Sequence, residues 1–189
     1  ANAARLQQAA RTQGAAVLHF AYVVEANPAA MRPLHPKMAD GRSAFSSADD
    51  PLTAICTEVA PQGDEQTVIK ADASIFSVSG LADSLRSRGI EWLVVAGVWT
   101  EACIAASVKD AVDRGFRVLL VKDACGSGSA AMHQTGILNL ANRLYGGAVV
   151  DTRTACRLIG GERVDAWQVE GSVPLRYSFA DASRIYVDL

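Results

Sequence analysis

Two side chains of this sequence could act together as nucleophile and cation. Cys103 sits in VVAGVWTEACIAASVKDAV (94–112), and Lys70 closes TVIK (67–70). Each falls at the carboxyl end of an apolar run that reads as a strand, the rim where parallel sheets place their ligands. Thr100 reads as the N-cap of the following helix, which puts Glu101 at N1 and Cys103 at N3. First-turn N–H groups have no intrahelical partner and carry the positive end of the helix dipole. That setting favours a thiolate nucleophile and can receive the oxyanion of a tetrahedral intermediate. Strand, sharp turn, nucleophile and helix together make the arrangement of a nucleophile elbow. Residue type and spacing leave a second reading open for each: Cys103 as an inert buried thiol, Lys70 as a cation reaching from a strand end to the surface.

The other reactive residues have weaker claims. Cys56, Cys125 and Cys156 form no C-x-x-C pair and read as packing residues. Their wide spacing favours free thiols in a reducing compartment, so a cytoplasmic protein is expected. His19 falls in a strand, His35 in a proline-rich loop and His133 on a helix, with no metal-ligand spacing. No metal or cofactor is expected. A Cys–His pair through His19 stays open, although a core or rim histidine is preferred. GSGSAAMHQTG is glycine-rich but lacks the lysine of a phosphate loop.

The elements that must position Cys103 and Lys70 alternate along the chain. Strands are expected at 15–24, 67–70, 92–98, 116–121 and 147–152. Helices are expected at 2–13, 80–88 (N-capped by Ser79), 101–114 and 129–145, closed by Gly14, Gly89, Gly115 and Gly146. On the third, Ile104, Val108, Ala111 and Val112 form one apolar stripe. Short apolar strands between helices predict an α/β fold with helices on both faces of a parallel sheet. The segment 25–66 holds five of the six prolines and reads as a binding loop or lid. In the tail, VPLRYSF (173–179) reads as a strand and ADASRIYVDL (180–189) as a short helix.

Composition excludes some partners. The 189 residues carry a net charge of −2, and half of them are hydrophobic. No basic run suggests nucleic acid. No apolar run approaches the roughly 20 residues of a membrane span. ANAARLQQAARTQG is amphipathic and does not read as a secretory signal. One domain is expected over 1–189, with a loop insertion at about 25–66 and an extension at about 161–189.

VVAGVWTEACIAASVKDAVDRGFRVLLVKDACGS resembles the core of the isochorismatase-like cysteine hydrolases, whose pattern is an apolar strand, G-V-x-T-x-x-C, a helix, a strand and D-A. TVIKADASIF resembles that family's lysine motif, PQGDEQ the polar turn before it, and ANRLYGGAVVDT the last helix and strand. The resemblance covers roughly 1–160. It implies a Rossmann-like three-layer α/β/α fold, a mostly parallel sheet of about six strands and a homo-oligomer. It implies hydrolysis of a small amide, carbamoyl or ureido C–N bond through a thioester, with Cys103 as nucleophile and Lys70 as the positioning cation. The Val98–Trp99 peptide matches the family's cis bond, with the N–H groups of Trp99 and Cys103 forming the oxyanion hole. Trp99, Phe76, Thr100 and the loop 25–50 are expected to line the substrate pocket. The family's general-base aspartate and first strand are expected before Ala1; Asp72 and Asp123 are poor substitutes, and Asp123 reads as structural. Vinyl ether hydrolysis of the isochorismatase type, or a non-catalytic binding or assembly role, are the alternatives.

Overall fold

The computed structural model describes residues 1–24, 34–45, 47–172 and 175–189. Residues 25–33, the first part of the expected lid, lie outside the described residues. Helix α1 (Asn2–Thr12) leads to β1 (His19–Tyr22), and a loop with two short 3₁₀ turns leads to β2 (Thr67–Lys70). Then follow α2 (Leu81–Ser87), β3 (Trp92–Val98), a single π-helical turn (Thr100–Ile104) and α3 (Ala105–Asp113). The chain continues as β4 (Arg117–Gly126), α4 (Ala130–Ala141), β5 (Ala148–Val150), α5 (Thr152–Ile159) and α6 (Ala182–Asp188).

The layering follows from the two-residue period of β4. Val118 and Leu120 face one core with Val108, Ile137, Leu140 and Leu144. Leu119 and Val121 face the other, with Leu6 of α1 and Ala155 of α5. A strand buried on both faces has to be apolar at every position. The fold is therefore α/β with helices on both sides of parallel strands, as expected.

The strand arrangement differs from the expected single sheet of about six. Among the described residues there are five strands in two parallel sheets, β1–β2 and β3–β4–β5. β1 pairs only with β2, and β3 only with β4, so each has a second edge with no strand beside it among the described residues. The consequence shows in β3, where Trp92, Val94 and Val98 are half-exposed while Val118–Val121 next door are buried. The edge of β5 is covered differently: Val149 N–H donates to Trp167 O at 2.9 Å, so the tail occupies that edge.

Two helix ends and the tail differ from expectation for identifiable reasons. The helix expected at 80–88 is capped by Gly80, not Ser79, because the chain enters α2 through φ +75°, a left-handed conformation that glycine adopts without cost. The helix expected to reach 145 stops at Ala141, because the Asn142 side chain turns to the tail, exchanging hydrogen bonds with Leu175 N–H (2.9 Å) and Leu175 O (3.2 Å). The same amide takes the backbone groups that a tail strand would have offered a neighbour, and 175–178 is irregular. Val173 and Pro174 lie outside the described residues.

One polar cluster ties α1 to β1 and to the loop before β2. The Arg11 guanidinium donates to both Glu65 oxygens (2.6 and 2.8 Å), and His19 Nε2 lies 2.8 Å from Glu65 Oε2. The Gln62 N–H adds a third donor at 3.0 Å. Arg11 chiefly, with His19 and Gln62, holds the Glu65 carboxyl well below the usual carboxylate range. A depressed folded-state value contributes stability above the unfolded value of about 4.3, which is lost as pH falls through the folded value. Glu65→Gln should therefore lower the melting temperature by a few degrees at pH 7. The gap to the native chain should close as pH falls through the acid range; a pH-independent gap in scanning calorimetry would refute this account.

Candidate active site

The end of β2 and the turn after β3, which belong to separate sheets, meet where Lys70 reaches Cys103. There Lys70 Nζ lies 3.2 Å from Cys103 Sγ. Lys70 is only 5% exposed. Its other donors meet the carbonyls of Asp72 and Ala73, both at 2.9 Å. An ammonium has three hydrogens, and here three acceptors face it, one of them the sulfur. This arrangement fixes the nitrogen from behind and aims one N–H at the thiol. The reading of Lys70 as a cation reaching the surface is thereby excluded.

The Lys70 ammonium also stands 4.9 Å from the centre of the Tyr22 ring, which meets Phe45 edge-on at 5.5 Å. Tyr22 was not singled out from sequence, yet the signal existed: it ends β1 in register with Lys70 at the end of β2.

Cys103 is carried differently from expectation. Thr100 is not an N-cap. Ala102 and Ile104 N–H both donate to Trp99 O (3.1 and 3.2 Å), so the turn opens at Trp99 and is π-helical before α3 begins. Single π turns of this kind recur at functional sites. Thr100 is fully buried, its hydroxyl 2.9 Å from Gly126 O and 2.8 Å from His133 Nδ1. Ser107 binds the turn from below: its hydroxyl donates to Cys103 O (2.6 Å) and accepts from Ile75 N–H (3.1 Å). A serine bonding the carbonyl four residues back is a known helical habit, but its second partner depends on tertiary packing. Ser127 closes the other side, donating to Glu101 Oε2 at 2.5 Å.

The Val98–Trp99 peptide is cis, matching the form the resemblance calls for. Trp99 is half-exposed beside the turn. Phe76, expected in the pocket wall, is instead buried in the core, stacked on Phe116 with ring centres 5.7 Å apart. His19 starts β1 while Tyr22 and Lys70 mark the far end, and its ring is engaged by Glu65. The Cys–His pair through His19 is thus removed.

The remaining thiols differ in setting. Burial pushes Cys125 up to about 12, so it stays protonated. Cys156 is partly buried, its sulfur 3.8 Å from Arg5 O. Cys56, expected to pack, is exposed, because it lies on the loop between β1 and β2, and such loops run over the surface. Asp123 is committed elsewhere: Oδ1 accepts from Thr152 N–H and Oγ1, both at 2.7 Å, and Oδ2 from Asn2 at 3.0 Å. Its reading as a structural residue agrees with these bonds. Among the described residues no cluster of three His, Cys, Asp or Glu side chains could hold a metal ion, and no helix is long and apolar enough to cross a membrane.

Comparison with known proteins identifies the family and the fold. Maleamate amidohydrolase of Pseudomonas putida is 36% identical over 100 residues, covering 53% of this chain and 46% of that one. Ureidoacrylate amidohydrolase of Variovorax paradoxus is 31% identical over 157 residues, covering 74% and 61%. The matched stretches thus span only part of these relatives. In fold, an isochorismatase family protein of Desulfovibrio vulgaris superposes with a TM-score of 0.73 at 24% identity, covering 83% of this chain and 82% of that one. A putative isochorismatase of Burkholderia xenovorans gives 0.71 at 23% identity, covering 100% and 84%. The isochorismatase domain pattern matches residues 1–154, and the chain belongs to that family.

Proposed function

We propose that this chain is a cysteine hydrolase that cleaves a small amide, carbamoyl or ureido C–N bond. The observation that carries the reading is the Lys70 ammonium, buried and saturated, with one N–H aimed at Cys103 Sγ at 3.2 Å. Its support is the family, in which relatives are named for maleamate, ureidoacrylate and N-carbamoylsarcosine.

The chemistry follows from that geometry. The thiol gives up its proton to solvent water, and the sulfur, stabilised by the adjacent cation, attacks the carbonyl carbon. The carbonyl π electrons move to oxygen, where the N–H groups of Trp99 and Cys103 are the proposed donors. When the intermediate collapses, the C–N bond breaks as the nitrogen takes a proton from solvent water, so ammonia leaves neutral and a thioester remains. Water then adds to the thioester, the C–S bond breaks, and the acid is released with the thiol restored. Lys70 is not the proton carrier in this scheme, since two of its three hydrogens are held by backbone carbonyls. Asp123, bound to Thr152 and Asn2, is not the carrier either.

The test is ammonia release from maleamate, ureidoacrylate, N-carbamoylsarcosine and nicotinamide by the purified, folded chain. Turnover of at least one is expected; no release from any of them would overturn the proposal.

A further inference from the structure

We propose that His133 and Tyr186 are positioning residues for this centre, through which helix α6 holds the turn that carries Cys103. The proposal rests on Cys103 being the nucleophile.

The hydrogens can be assigned from partners alone. Gly126 O can only accept, so the single Thr100 hydroxyl hydrogen goes to it, over 2.9 Å. His133 Nδ1, 2.8 Å from the same hydroxyl oxygen, must then carry a hydrogen and donate. In the neutral ring Nε2 is left as an acceptor, and Tyr186 Oη lies 3.0 Å from it, so the phenol donates. The chain Tyr186, His133, Thr100, Gly126 is satisfied in one direction and with a neutral imidazole. Burial lowers the His133 pKa, while a hydrogen bond to the Lys122 backbone and the charge of Glu101 oppose it.

The far end of this chain is anchored. Lys122 Nζ donates to the carbonyls of Tyr186 (2.9 Å) and Val187 (3.1 Å), near the C-terminal end of α6, where a cation is favoured. The Tyr186 ring meets His133 edge-on at 5.4 Å, and Ser183 binds Gln134 of α4 at 2.5 Å. The near end is tight. A Cβ at Gly136 of α4 would stand 3.0 Å from Thr100 Cγ2, so glycine there lets α4 close on the turn. Thr100 lies in the same π turn as Cys103, which makes its hydroxyl a fixed point for the backbone that aims Sγ at Lys70. None of these pairs is local: Thr100 and His133 are 33 residues apart, His133 and Tyr186 53.

The experiment compares Tyr186→Phe, His133→Asn and the double variant. Tyr186→Phe keeps the ring and removes one oxygen. His133→Asn keeps an N–H toward Thr100 but cannot reach Tyr186. Each is read by kcat and KM for ammonia release and by iodoacetamide labelling of Cys103, resolved by peptide mass spectrometry, with melting temperature as a folding control. A kcat about tenfold lower is expected in each single variant, with KM within about twofold. Cys103 labelling should slow in parallel. The double variant should be no worse than either single, because both cut the same chain. Single variants within about twofold of the native kcat and labelling rate, or losses that multiply in the double, would overturn the proposal. Labelling needs no substrate, so it separates the two ideas. A native Cys103 no more reactive than exposed Cys56, together with no ammonia release, is failure of the nucleophile reading. A reactive native Cys103 unchanged by either substitution is failure of the positioning role.

Discussion

Cys103→Ser should lose at least about 10⁴-fold in kcat on whichever amide the native chain hydrolyses. The substitution is nearly isosteric, and every contact that holds the turn is made by other atoms: Trp99 O to two N–H groups, Ser107 to the Cys103 carbonyl, and Thr100 to Gly126. The melting temperature should therefore stay within a degree or two of the native chain. What changes is the nucleophile. A thiolate forms readily beside a cation, whereas a hydroxyl must lose its proton during attack and needs a base in contact with it. The group that contacts residue 103 is an ammonium whose hydrogens all have acceptors, so it offers no base. Cys125 does not substitute, since burial holds it protonated. Steady-state ammonia release by the two proteins decides it, and a serine variant with a tenth of native kcat would end the covalent reading. Such retention would favour amide turnover without a covalent thiol.

Much of this centre was legible in the sequence, for a physical reason. Parallel strands put their ligands at their carboxyl ends, so locating the ends of TVIK and WLVVAGV was enough to find Lys70 and Cys103. The apolar run FRVLLV announced a strand buried on both faces, and Val118–Val121 behave so. Of the glycines expected to close four helices, Gly14, Gly89 and Gly115 follow helix ends with positive φ, whereas α4 ends well before Gly146. What was not legible depends on distant partners. Thr100 looks like a cap by type, but its hydroxyl is drawn to Gly126 and His133, and that choice is made by the packing of α4. Phe76 looks like a pocket aromatic, but Phe116 claims it. The strand expected in the tail is irregular over 175–178, where Asn142 takes the backbone groups of Leu175. In each case a side chain whose local preference was read correctly found a stronger partner far along the chain.

The second large effect concerns the cation. Lys70→Met should lower kcat by about 10²–10³-fold, the loss associated with removing one charge-stabilising group from an acyl-transfer centre. KM should move far less, because the ammonium faces sulfur and two carbonyls, not open pocket. Methionine fits the length of the lysine stem and can pack on Tyr22, over which Lys70 now lies. It leaves the Asp72 and Ala73 carbonyls without that donor, at a cost of about 1–3 kcal/mol for each that water cannot reach. Loss of activity and loss of stability therefore need separating, and alkylation of Cys103 does so. With the positive charge gone, iodoacetamide labelling near neutral pH should slow markedly even in protein that is fully folded by circular dichroism. Lys70→Arg should not rescue either quantity. A guanidinium keeps the charge, but its donors lie in one plane and cannot reach two carbonyls and a sulfur set around a single nitrogen. Rapid labelling and near-native kcat in Lys70→Met would mean that the sulfur is activated by something other than its nearest cation. Slow labelling in both variants, with the fold intact, would tie the reactivity of Cys103 to one hydrogen bond of 3.2 Å.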